Sequence, residues 1–175
     1  MGRTMMETLL NFKNLVIAAG LLAAVYTDLR TRKVPNQLLL IYGLASIIVL
    51  IVVDGGAGIA SSLASIGTMI VFALPLYLLR AIGGGDFKLL FVFSVLTTWN
   101  GVMTTLLASL AWGSLLGLVQ SILSGQGKQL ANNVLAIAMR GKPSEQVLHK
   151  IPFTVAILFG WMTHLSLMLA GVKWI

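Results

Sequence analysis

The chain has no cysteine, and only five of its 175 residues are acidic. The first absence excludes disulfides, thiolate nucleophiles and thiolate metal sites. The second leaves so few carboxylates that each can be weighed by itself. Charge of either sign is scarce: 10% of residues carry it, 58% are hydrophobic, and the mean hydropathy is +0.95. Soluble domains run closer to ~25% charged and roughly 45–50% apolar, so this is the composition of a membrane protein. No polar stretch is long enough for a separate soluble unit, and residues 1–175 read as one domain.

What charge there is, is mostly positive. The net charge is +7 and the pI about 10.2. In a soluble protein this would suggest nucleic acid, but here it is explained by basic loops on the cytoplasmic side of a membrane, with no nucleic-acid partner. The opening, with Arg3 and Lys13 ahead of "LVIAAGLLAAVY", has the look of a signal peptide. The apolar runs that follow favour a first span instead.

Apolar runs occupy about 9–27, 37–53, 58–80, 87–99, 101–123 and 151–171, which predicts an all-α, polytopic protein of six transmembrane helices. The fourth run is the shortest. Arg30, Arg32, Lys33, Arg80, Lys88, Lys128, Arg140, Lys142 and Lys150 lie in or beside alternate connections, which groups nine of the 12 basic residues on one side. The positive-inside rule makes that side cytoplasmic and both termini outside. Within the long loop 124–150, "KQLANNVLAIAMRGK" spaces Leu130, Val134, Leu135, Ala138 and Met139 as an interfacial helix would; a solvated basic loop is the plainer alternative. Pro75 is expected to kink the third span, and Gly113 with Gly117 forms a small-residue packing face.

Of the five acids, Glu7, Asp54 and Glu145 fall in polar, solvated surroundings. Asp28 ends the first span and Asp86 begins the fourth, so parity brings both to the cytoplasmic face. Each has an ordinary explanation. Asp28 could pair with Arg32 one turn on, although an acid at a helix C-terminus opposes the macrodipole. Asp86 could be an N-cap preceded by a glycine turn. Taken together they suggest chemistry: a carboxylate near hydrocarbon is a functional candidate, and two that approach closely share one proton. One can then act as base toward water while the other, protonated, hydrogen-bonds a peptide carbonyl. This is aspartic-protease chemistry, needing no metal or cofactor. Gly83 to Gly85 would let a helix or a substrate backbone come close to Asp86.

"YTDLRTRKVPN" and "GGGDFKLL" closely resemble motifs of the type IV prepilin peptidase family, bacterial relatives of presenilin-type proteases. The first is similar to the family's Asp, basic turn and Ile-Pro-Asn, with Val34 in place of the Ile before Pro35 and Asn36. The second matches Gly-x-Gly-Asp as Gly83, Gly85 and Asp86, followed by Lys88 and Leu89. "KIPFTVAILFG" at 150–160 is similar to the Pro-aromatic opening of the last span. The resemblance implies that Asp28 and Asp86 are catalytic. It further implies cleavage of prepilins after a Gly, between a basic leader and a hydrophobic helix, at the cytoplasmic face of the bacterial inner membrane. Larger members carry an extra domain, often with paired cysteines, and also methylate the product. The chain instead resembles the compact branch that serves Flp-type pili and is expected to cleave without methylating.

Supporting roles follow from residue chemistry. Pro35 fixes a turn, Asn36 is suited to capping the second span, and Arg32 with its basic neighbours suits the headgroup level or anionic lipid. Lys88 either meets phosphate or substrate or snorkels to the interface. His164 lies about 20 Å along the last span from its cytoplasmic end, too far to join the acids, and is read as a packed, hydrogen-bonded residue. Trp99, Trp161 and Trp174 are interface or packing residues. Two other classes fit a small polytopic chain with two acids: a proton-coupled transporter, which would hold them nearer the bilayer midplane, and a non-catalytic pilus or secretion assembly protein, in which they would be dispensable.

Overall fold

The computed structural model describes residues 2–125 and 152–171, with side chains from residue 12 onward. The fold among them is all helical, as predicted, but with five helices rather than six: α1 (Gly2–Thr31), α2 (Asn36–Leu78), α3 (Gly84–Leu96), α4 (Trp99–Leu123) and α5 (Phe153–Leu169). The difference lies in α2, which takes in both the second and the third apolar run. "DGGA" does not end the helix; only Gly55 leaves helical dihedrals, with φ 58° and ψ −148°. That left-handed conformation is open to glycine at little cost.

The break at Gly55 reverses the chain. Residue 85 of α3 packs beside Val34 and Val92 beside Gly43, so α3 runs parallel to 36–54. Gly84 and Phe87 lie against Tyr77, whereas Thr97 at the other end accepts from Ser65 Oγ (2.8 Å), so α3 runs antiparallel to 56–78. The two halves of α2 are therefore antiparallel to each other. Pro75 stays within helical dihedrals, and the carbonyl it carries receives the Leu79 N–H (2.9 Å).

Among the described residues three helices are long and apolar enough to cross a membrane: Phe12–Thr31, Asn36–Leu78 and Trp99–Leu123. The 17-residue α5 is apolar but shorter, and the 13 residues of α3 rise only about 20 Å. The interfacial helix expected within 124–150 lies almost wholly outside the described residues.

Large apolar side chains such as Leu40, Ile41, Ile48, Val52 and Leu63 point outward, as suits a lipid-facing surface. The interior mixes Leu21, Leu89, Leu90, Phe93 and Ile157 with fully buried small hydroxyls, Ser46, Ser65, Ser94, Thr105, Ser109 and Thr154. Small residues let membrane helices approach closely, and α4 and α5 use this most. A Cβ on Gly160 would run into Ser109 Oγ and the Thr105 carbonyl, whereas one on Gly117 would meet nothing within 4 Å. Of the small pair read from the sequence, Gly113 does pack, close to Phe153 and Ala156.

Candidate active site

Both aspartates sit where a helix ends or begins beside a basic turn. Asp28 lies in the last turn of α1, and its carbonyl accepts the N–H of Arg32 (2.7 Å). Arg32 closes the helix in the left-handed region at φ 53°, and Arg80 does the same after α2 at φ 58°. Such a conformation costs a non-glycine residue roughly 1–2 kcal/mol, partly offset by placing a cation at the carbonyl-rich helix end. Arg32 thus meets Asp28 through its backbone, and the side-chain ion pair considered from the sequence is not formed.

Asp86 occupies the third position of α3, not the cap. Gly83 is the N-cap, and its N–H donates to Asp86 Oδ2 (3.2 Å). The glycines have separate tasks. A Cβ on Gly83 would lie 2.9 Å from Asp86 Oδ2, one on Gly84 would touch Tyr77, and one on Gly85 would rest 3.6 Å from Val34 Cβ. The Asp86 turn is therefore held between the Tyr77 ring, which also stacks on Phe87 at 5.2 Å, and the Val34 turn that follows Asp28.

A second tie joins the same two turns. Pro35, not Asn36, is the N-cap of α2, and it makes no side-chain capping bond. The Asn36 side chain is turned instead toward α3, where Oδ1 accepts from Lys88 Nζ (3.0 Å). Lys88 and Asn36, read separately from the sequence, are one contact between the Asp28 turn and the Asp86 helix.

These packings bring Asp86 close enough to Asp28 to feel its charge. Burial, and after it the charge of Asp28, push the Asp86 carboxyl from 3.8 up to about 6, against the lowering effect of the Gly83 N–H. Asp86 lies outside the three helices long enough to span the membrane. Asp28 is only 8% exposed, and its Oδ2 accepts from Thr154 Oγ1 (2.7 Å), itself fully buried at the start of α5. Thr154 is the residue that sequence reading missed. Its signal was a lone hydroxyl just after the Pro-aromatic pair of "KIPFTVAILFG", and nothing in one sequence says which carboxylate it faces.

The other polar groups lie elsewhere. Lys13 forms an ion pair with Asp54, so Asp54 is paired rather than simply solvated. His164 Nδ1 lies 2.6 Å from Thr104 Oγ1, near Gly101, in keeping with a packed histidine apart from the acids.

A family model described as the type IV leader peptidase family matches residues 15–118, more than half of the chain and inclusive of both aspartates. No curated protein and no solved structure gives a significant match.

Proposed function

The chain belongs to the type IV leader peptidase family, and we propose that it is a membrane-embedded aspartyl endopeptidase that removes the basic leader from Flp-type prepilins. Cleavage follows a glycine, at the cytoplasmic face of the bacterial inner membrane. What supports this reading is the arrangement of Asp28 and Asp86: distant in sequence, they stand so that the charge of Asp28 adds to burial in raising the Asp86 carboxyl, and each has one oxygen engaged by a protein donor. Among the described residues the second oxygen of each has no protein partner, which leaves it for water or substrate.

The chemistry follows from one proton shared by two acids. The raised Asp86 carboxyl holds the proton and Asp28 acts as base. As the water oxygen adds to the scissile carbonyl carbon, Asp28 takes a proton from that water and Asp86 gives its proton to the carbonyl oxygen. The gem-diol then collapses. The C–N bond breaks, Asp28 returns its proton to the departing nitrogen, and a diol hydroxyl returns one to Asp86. Peptide and water become acid and amine, and the pair ends as it began.

Co-expression with a Flp-type pilin precursor tests this through the mobility shift that marks processing. Asp28→Ala and Asp86→Ala are expected to leave the precursor uncut; processing by either variant at normal expression would refute the pair. Chelator should leave cleavage intact, and a loss restored by a divalent ion would contradict a metal-free mechanism.

A further inference from the structure

Asp28 stands at an unfavourable place for a carboxylate that must hold one orientation. It is nearly buried, it lies in the last turn of α1 where helix carbonyls rather than N–H groups are exposed, and no described basic side chain pairs with it. Asp86, by contrast, has a backbone N–H from its own helix start. The donor that Asp28 lacks locally comes from the far end of the chain: the Thr154 hydroxyl, fully buried, 2.7 Å from Oδ2.

We propose that Thr154 is a positioning residue for the reaction: its hydroxyl holds Oδ2 of Asp28 so that the other oxygen is presented to the water between the two acids. Asp86 is held in the same manner by Gly83, through Oδ2. Each acid thus has one oxygen for orientation and one for chemistry. The Thr154 contact also makes α5 part of the site, although this helix contributes no acid. Packing of α5 on α4 at Gly160 and Gly113 sets where Thr154 stands relative to Asp28.

This inference rests on the proposed peptidase activity, and its test separates the two. The full-length chain, reconstituted in liposomes, is assayed on a synthetic Flp-type precursor, with kcat and KM measured for wild type, Thr154→Val, Thr154→Ser, Asp28→Asn and Asp86→Asn. A misoriented base slows the chemical step without weakening peptide binding, so Thr154→Val should lower kcat by about 10–100-fold with KM within about twofold of wild type. Thr154→Ser, which restores the hydroxyl, should recover most of the rate. If the valine variant does not fold, Thr154→Ala against Thr154→Ser carries the same comparison. Inactive Asp→Asn variants alongside a Thr154→Val or Thr154→Ala of wild-type kcat, or a serine variant as slow as its hydroxyl-free counterpart, would overturn the positioning role alone. An active Asp28→Asn or Asp86→Asn would overturn the peptidase reading itself.

Discussion

At the scale of single residues, Asp86 carries the most direct prediction. Its carboxyl is raised to about 6, so the fold favours the protonated form. That contribution to stability is complete below the ordinary carboxylate value and is lost as pH rises through about 6. For the reaction the same sign holds: kcat/KM should fall with increasing pH on a limb centred near 6, as the acid that polarises the carbonyl loses its proton. A kcat/KM that instead climbs from pH 5 to 8 would exclude Asp86 as the acid. Gly83 gives a steric counterpart. Its φ of −76° suits any residue, so Gly83→Ala should barely change stability. The new Cβ would lie 2.9 Å from Asp86 Oδ2 and turn the carboxylate, with a loss of roughly 10–100-fold in kcat. Gly85→Ala, whose Cβ would make an ordinary contact with Val34, should lose much less. Equal kcat for the two variants would show that Gly83 does not control Asp86.

At the scale of elements, the helices were more legible in the sequence than their ends. Apolar runs of spanning length announce helices because lipid leaves the backbone no other partner, and four helix positions follow from them directly. The second and third runs fused because one glycine absorbs the whole reversal at position 55, and hydropathy does not distinguish a one-residue break from a four-residue loop. The aspartates were legible because charge is so rare here, and their neighbours less so. Asn36 looked like a cap and Lys88 like a lysine for phosphate, substrate or the membrane interface, yet they bind each other across elements; such partners depend on how α2 and α3 pack. Thr154 was illegible for the same reason, since α5 meets α1 only in the folded chain. At Gly160 α5 lies close against α4, and an added methyl would strike both the Ser109 side chain and the Thr105 carbonyl. A backbone atom cannot swing aside, so Gly160→Ala should destabilise the protein by about 1–3 kcal/mol, the usual cost of overpacking. Thermal unfolding in detergent reads this as a lower midpoint, and an unchanged midpoint would mean that α4 and α5 can separate freely.

At the scale of the whole molecule, the bundle has two chemically different ends. One gathers the turns carrying Asp28, Arg32, Arg80, Asp86 and Lys88, with the start of α5 beside them. The other has the Lys13–Asp54 pair, Gly55 and the α3–α4 turn at Thr97 and Thr98. The proposed orientation, with the basic end in the cytoplasm as the positive-inside rule expects, predicts opposite labelling of two single-cysteine variants. Lys33→Cys should react only with reagent admitted to the cytoplasm, and Gly56→Cys with reagent outside; the reverse pattern would invert the orientation. The chain's lack of native cysteine makes that readout clean. The pairing of the acids is tested most directly by turnover of a Flp-type precursor by Asp28→Asn, Asp86→Asn and the double variant of the reconstituted chain. Two acids that work as one proton-sharing unit predict that each single variant loses as much activity as the double. Losses that multiply independently, or one single variant that retains wild-type turnover, would contradict it.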